Sequence, residues 1–453
     1  MVKASSIMWL TPFNLGATYY VVAYDAPQDI RDWATLAEAA GANVKVCDGT
    51  ADEVQIQAAI DSLPARGGTI HFSNGGFVLA DKITMTNKDS VIIEGEGIFG
   101  TTAPSVGTVF YQSVASKSTF VLSSCQGVIF RDFCAYPAST TGTICFELVA
   151  ACNNISFESL YLLSFDTLFD VSGGSTEIFW RKVQGGQGTT NYGAKLVGGQ
   201  DFYFSDCFLP TASDTGVSIY LSSVKYTSII GCVLRDSGYG ILINGDSHYI
   251  RIIGNTFGGL DYPGVCIYAD TIYPNNILIT NNQFDACAAN TTPGNPEDSN
   301  IYIYGAGGGS INSFIISDNV FNRGTASHPY YGMYLANVGY NKITDNLLIE
   351  GYYSIPIYIT ATAGGFTYPY NNSDYVTENS GSTTIGSGST ASVVTHGLAG
   401  TPTRVMITPT NLFAGTSDYY QGTATATQFA ILTSADPGTN ATYNWRAVIG
   451  EGN

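Results

Sequence analysis

The sequence predicts an all-β chain wound as a right-handed parallel β-helix of about ten rungs, and three observations in its 453 residues carry that reading. A short apolar phrase recurs at a period near 25 residues, and asparagines hold one phase of it in four successive copies. Charged residues make up only 12% of the chain, while Gly reaches 51 and Tyr 30, a composition suited to many short strands and tight turns. Coiled coils, helical bundles and charged disordered chains are excluded by the same figures. Thirty-six acids against 18 bases leave a formal charge of −18, which repels nucleic acid and anionic membrane, so neither is expected as a partner.

Residues 1–46 form an N-terminal segment with no unbroken apolar stretch, and no later run is long enough to span a bilayer. No classical signal peptide is read, so an extracellular or virion-associated location would be reached by another route. Two helices are predicted early, Gln28 to Ala40 and Ala51 to Leu63. In the second, Thr50 and Glu53 make a capping box, Ile56, Ala59, Ile60 and Leu63 form one apolar stripe, and Pro64 with Gly67 and Gly68 ends it. A helix with one apolar face at this position is expected to cap the solenoid.

The repeat runs through residues 91–349 as VIIEGEGI, VIFRDFCA, ISFESLYL, IFWRKVQ, FYFSDCFL, SIIGCVL, IRIIGNTF, ILITNNQF, FIISDNVF and KITDNLLI. Anchors at Ile93, Phe130, Phe157, Phe179, Phe204, Ile229, Ile252, Ile279, Ile316 and Ile343 are separated by 37, 27, 22, 25, 25, 23, 27, 37 and 27 residues. A second alternating strand precedes most phrases, and no helical pattern lies between them, so each rung is three short strands stacked ~4.8 Å from the next. The inward position three after the anchor reads Phe133, Leu160, Lys182, Cys207, Cys232, Asn255, Asn282, Asn319 and Asn346, which predicts a hydrogen-bonded asparagine ladder with Cys207 and Cys232 beneath it. The nine cysteines are odd in number, lack metal-ligand spacing and fall in apolar runs, so they read as buried thiols. The β-helix with its cap is assigned to residues 47–375, a Gly/Ser/Thr linker to 376–391, and a small β-sandwich-like domain to 392–453.

The stretch CDGTADEVQIQAAIDSLPARGGTIHFSNGGFVL (47–79) resembles the opening segment of the pectate-lyase-like β-helix superfamily. AYDAPQDIRDWATLAEAAGANVKV (23–46) and SGSTASVVTHGLAGTPTRV (387–405) resemble segments that flank β-helices in phage and archaeal-virus tail proteins. The superfamily includes polysaccharide lyases, hydrolases, epimerases and phage tailspikes, so the resemblance implies a polysaccharide partner, and likeness to tail proteins implies a homotrimer. Exposed apolar Met8, Trp9, Leu10 and Phe13 are read as seeking such a partner. The polygalacturonase and calcium pectate-lyase signatures are absent, so neither activity carries over residue by residue.

Candidate site residues come from alternation. With Phe146, Leu148, Phe169, Val171, Ala194 and Leu196 inward, Glu147, Asp170 and Lys195 point outward on adjacent rungs, followed by Tyr220, Asn244, Tyr268, Asp270, Tyr302, Tyr304, Tyr334 and Tyr358. Carboxylates one rung apart could approach the ~5 to 5.5 Å separation of retaining glycosidases, with Glu147 as general acid and Asp170 as nucleophile or base. Lys195 would damp their repulsion or hold a substrate carboxylate. Tyr220, Asn244, Tyr268, Tyr302, Tyr304 and Tyr334 would bind sugars, whose C–H faces and polar edges suit tyrosine. Asp236, Asp261 and Asp270 form a second carboxylate group, with Arg235 close by. His71, His248, His328 and His396 share no rung position, and His396 reads as a turn residue. No cofactor or metal is expected; calcium stays an alternative without a motif. Glycan hydrolysis is the leading function. The alternatives are a polysaccharide lyase, a non-catalytic viral receptor-binding fibre and a purely structural solenoid.

Overall fold

The computed structural model describes residues 17–97, 107–186, 188–269, 273–306, 311–322, 329–349, 353–360, 367–411 and 418–449. It resolves into two compact units, residues 1–242 and 243–453. Among the described residues the architecture is an all-β parallel solenoid of about twelve turns with two helices and small antiparallel sheets at the C-terminal end. Two rungs more than the ten phrases are present because GTIHF (68–72) and TYPY (367–370) pair in register with their neighbours without matching the phrase: Ile70 stands opposite Ile93, and Pro369 takes the place of the apolar anchor opposite Ile343.

In the first unit, helix α1 spans Gln28–Ala39 and helix α2 spans Glu53–Asp61, so each is shorter than its sequence pattern. The capping box does not form. Thr50 lies before the helix and its N–H donates to Asp48, while the Glu53 carboxylate accepts from Ala80 N–H at 2.9 Å. Asp52, wholly buried, instead accepts the Asp48, Gly49 and Val78 N–H groups, tying the turn to the first rung. Burial pushes its carboxyl above the usual range although those amides oppose the shift. Ile56, Ala59 and Ile60 are buried as the stripe requires. Gly67 at φ +80° then admits the chain to the first rung, where an added Cβ would lie 2.0 Å from the Ser90 carbonyl oxygen.

One sheet of this unit stacks Ile83–Thr86, Ser118–Ser123, Ile144–Leu148, Thr167–Val171, Tyr192–Val197 and Val217–Ser222, all parallel and in register. Rung stacking places like residues over one another: Phe120, Phe146 and Phe169 pile face to face at 5.1 and 5.3 Å, with interplanar angles of 11° and 7°. Each such pair adds ~0.5 to 1.5 kcal/mol beyond burial of its area. The fourth phrase is displaced by one residue. Phe157 stands opposite Trp180, so Trp180 and Val183 face inward, Phe179 is the outward neighbour, and Lys182 is an exposed turn residue at φ +53°. The anchor steps there become 23 and 24 (157 to 180, 180 to 204), more even than the phrase alignment gave.

In the second unit the asparagine ladder forms and gains a rung. Asn255 Nδ2 donates to Asn282 Oδ1 at 3.0 Å, Asn282 to Asn319 at 2.9 Å, Asn319 to Asn346 at 2.9 Å, and Asn346 to Asn372 at 2.8 Å. Phe257, Phe284 and Phe321 stack beside it at 4.7 and 4.8 Å. Within the stretch read as a linker, Glu378–Ile385 is a strand, antiparallel to Ala441–Val448. It belongs to a three-stranded sheet with Arg404–Pro409, and a second sheet comprises Ala391–Thr395, Tyr419–Ala424 and Gln428–Thr433. Ile385, Val394, Leu398, Phe429, Ile431, Tyr443 and Trp445 fill their core. His396 is buried there and bridges the turn: its Nδ1 accepts from Leu398 N–H at 3.0 Å, and Nε2 lies 3.1 Å from the Thr425 carbonyl.

Candidate functional site

On the outer side of the first unit's phenylalanine-backed sheet, Glu147 is registered against Asp170, Asp170 against Lys195, and Lys195 against Tyr220. The predicted column is therefore assembled by rung stacking. Its charges are partnered within the column: Lys195 Nζ lies 3.0 Å from Asp170 Oδ2, and the Ser118 hydroxyl donates to Glu147 Oε2 at 2.6 Å. Lys195 also stands 5.9 Å from the Tyr192 ring centroid, and Tyr192 packs 5.6 Å from Tyr220. Ser118 and Tyr192 were not singled out in the sequence, since each precedes its strand's alternating pattern.

Arg235, the last residue of the strand Val233–Arg235, pairs with Asp236 at 3.0 Å. In the second unit Asp261 accepts a hydrogen bond from Asn290 Nδ2, a loop-to-loop contact. Asp270 and His328 lie outside the described residues, as do Met8, Trp9, Leu10 and Phe13. Asn244 ends the strand Tyr239–Asn244, half-buried. Among the described residues no cluster of three or more His, Cys, Asp or Glu is arranged to hold a metal ion.

The second unit carries the tyrosines as one connected array. Tyr268 stacks on Tyr304 at 5.7 Å, Tyr304 on Tyr302 at 6.0 Å, Tyr302 meets Tyr334 at 5.7 Å, and Tyr334 meets Tyr358 at 5.0 Å. Tyr331, absent from the sequence-derived set because it begins its strand, joins through Tyr334 and Tyr358. Tyr268, Tyr304 and Tyr302 are stacked, the contacts to Tyr334 and Tyr358 are tilted or edge-on, and exposure falls from 41% at Tyr268 to 8% at Tyr302. Burial pushes the Tyr302 and Tyr334 phenols up, so they serve as neutral hydroxyls.

A further polar column was legible but overlooked. The residue after each anchor reads Glu94, Arg131, Glu158 and, after the one-residue correction, Arg181, and these four are registered in succession across the other sheet of the first unit. Arg131 Nε donates to Glu94 at 3.0 Å, Arg181 lies 3.6 Å from Glu158, and His71 is placed between Glu94 and Glu96 at 3.2 and 3.4 Å. Burial opposes ionisation of Glu94, but the hydrogen bonds from Arg131 and His71 win and hold its carboxyl below the usual range.

Comparison with known proteins bears on the fold. A family profile described as right-handed beta helix region matches residues 215–396. The chain is a right-handed parallel β-helix. DFA-IIIase from Arthrobacter chlorophenolicus shares this fold at 15% identity and a TM-score of 0.50, over 78% of this chain and 93% of that one. A tailspike variant of E. coli bacteriophage HK620, solved with a pentasaccharide, aligns at 12% identity and a TM-score of 0.49, over 84% and 69% of the two chains. The tailspike of Acinetobacter baumannii bacteriophage Fri1, a capsular polysaccharide depolymerase, aligns at 10% identity and 0.39, over 88% and 82%. No curated protein sequence matches.

Proposed function

We propose that this β-helix binds a neutral or weakly charged polysaccharide and hydrolyses it, with Glu147 as general acid and Asp170 as nucleophile or base. The observation that carries the choice of hydrolysis over elimination is the state of the cations. A lyase acting on a uronate needs positive charge free to neutralise the substrate carboxylate, but Lys195 is held by Asp170 and Arg235 by Asp236. With both engaged and a net charge of −18, an anionic chain meets repulsion that nothing on this column offsets. A hydrolase needs two carboxylates on adjacent supports, which the Glu147 and Asp170 register supplies. Phenolic hydroxyls of Tyr268, Tyr304, Tyr334 and Tyr358, each able to donate and accept a hydrogen bond, suit an uncharged glycan.

The DFA-IIIase and tailspike likenesses support a carbohydrate partner for this fold, and the tailspike likenesses support an extracellular or virion-associated setting. A homotrimer is part of the same proposal: α1 exposes Trp33 and Leu36, at 47% and 73%, as apolar surface for an assembly contact. Among the described residues no helix is long and apolar enough to cross a membrane. The deciding experiment incubates the full chain with a panel of neutral and acidic polysaccharides, reading new reducing ends and unsaturated products in parallel. Reducing ends without unsaturation support the proposal; unsaturated products make it a lyase, and binding without either product makes it an adhesive fibre.

A further inference from the structure

The second unit turns an acid-free sheet face to solvent. Its strands His248–Ile253, Asn275–Thr280, Ile311–Ser317 and Asn341–Thr344 run parallel and in register, and they contain no Asp or Glu in a chain that holds 36. With Ile252, Ile279, Ile316 and Ile343 buried, the outward column reads Arg251, Leu278, Ile315 and Lys342. Three rungs of ~4.8 Å set the two cations ~14 Å apart, with Leu278 and the 42% exposed Ile315 between them. Among the described residues neither cation makes an ion pair. The acids that flank the column are held by other groups: Asp246 by His248 Nε2 at 2.6 Å, and Asp345 by the Thr344 hydroxyl at 2.7 Å and the Asn371 amide.

Backbone strain marks the same face. The position two before each outward residue is left-handed on all four rungs: Tyr249, Asn276, Ser313 and Tyr340, at φ +58°, +54°, +59° and +53°. Asparagine tolerates that conformation, whereas a bulky tyrosine there is a steric outlier of the kind kept at functional positions. Burial does not offset the strain, since Tyr249 is 48% and Tyr340 64% exposed. Both strained tyrosines stand two residues before a cation, as Tyr249-Ile250-Arg251 and Tyr340-Asn341-Lys342, so the same arrangement closes each end of the column.

We infer that this face is a second, non-catalytic glycan track, which takes a linear polysaccharide with widely spaced carboxylates laid along the solenoid axis. Arg251 and Lys342 pair with two of those carboxylates, the planar guanidinium fork of Arg251 matching one of them bidentately. Tyr249 and Tyr340 pack beside the sugars at the two ends, and Leu278 and Ile315 cover apolar C–H faces between them. Two cations ~14 Å apart are too sparse for nucleic acid, which carries one charge per ~1.7 Å. A second copy docked face to face about a two-fold axis would set cation column against cation column. The track extends the carbohydrate reading to another sheet, and it stands whether or not the Glu147 and Asp170 column cleaves a glycan.

The test titrates the full-length protein by calorimetry with hyaluronan and alginate oligosaccharides, which carry carboxylates, and with dextran, which carries none. The carboxylated probes are expected to bind, and to bind less tightly as salt is raised. Arg251→Gln combined with Lys342→Gln should weaken them roughly 2- to 25-fold while leaving any affinity for dextran unchanged. Tyr340→Gly should weaken them roughly 2- to 10-fold with a melting temperature no more than ~2 °C below wild type, because glycine relieves the left-handed strain. A larger fall in melting temperature would make the tyrosine structural and overturn the inference. Failure of both carboxylated probes to bind, or affinities unmoved by the double variant, would overturn it as well. So would sedimentation showing a wild-type oligomer that the double variant dissociates, which makes the face a contact between copies of the chain.

Discussion

Replacing Asn282 by Leu removes the middle of the asparagine ladder, and its cost can be worked from the bonds it makes. Asn282 Oδ1 accepts from the Asn255 backbone N–H at 2.9 Å and from Asn255 Nδ2 at 3.0 Å, while its own Nδ2 donates to the Ile252 carbonyl and to Asn319 Oδ1, both at 2.9 Å. Leucine matches the volume roughly but can make none of these four bonds. Asn319 Oδ1 keeps the Asn282 backbone N–H at 2.9 Å. Three buried groups lose a partner outright: the Asn255 N–H, one Asn255 Nδ2 hydrogen and the Ile252 carbonyl. At ~1 to 3 kcal/mol for each orphaned group the loss is ~3 to 9 kcal/mol, a large share of the ~5 to 15 kcal/mol that holds a typical domain folded. For a unit of about 200 residues this corresponds to a fall in melting temperature of at least ~6 °C. Thermal unfolding followed by circular dichroism reads the loss, and hydrogen exchange at Ile252 to Asn255 localises it. A variant that melts within ~2 °C of the wild type, with unchanged exchange there, refutes the argument that the ladder satisfies the turn.

Glu147→Gln and Asp170→Asn should each lower turnover on a glycan substrate by ~100-fold or more with binding retained, as titration calorimetry can check; full activity in both variants removes the column from catalysis. Tyr334→Ala should weaken glycan binding up to about tenfold while Tyr334→Phe keeps the stacking and loses only the hydroxyl contact, so equal affinity of all three proteins would exclude the array as a binding face. The Glu94 carboxyl is depressed in the folded state, so its contribution is present above the unfolded carboxylate value and is lost as pH falls through the folded one. Denaturation between pH 6 and pH 3 should accordingly show a shallower acid loss in Glu94→Gln than in wild type, and superimposable pH profiles would contradict the assigned role of Arg131. Light scattering of the full chain tests the trimer directly, a monomer at micromolar concentration removing it without touching the fold.

What the sequence determined by itself was the solenoid, because in a parallel β-helix residues far apart in the chain acquire the same environment at every turn. That recurrence writes long-range contact into a local phrase, which is why Asn255, Asn282, Asn319 and Asn346 could be placed as a ladder, and Glu147, Asp170 and Lys195 as a column, from alternation alone. The phrase failed where chemistry changed while the backbone did not. Pro369 stands at an anchor, GTIHF carries none of the turn residues, and the three consecutive large side chains Phe179, Trp180 and Arg181 leave two inward registers that only packing of Trp180 against Phe204, 4.2 Å apart, separates. Tertiary structure alone decided what the aligned side chains do to one another. The engagement of Lys195 by Asp170, the hydrogen bond from Ser118 to Glu147 and the stacking of Tyr268 on Tyr304 all depend on rotamers chosen between rungs. Periodicity sets which residues are neighbours; side-chain reach and charge, balanced against burial, set which of them become partners.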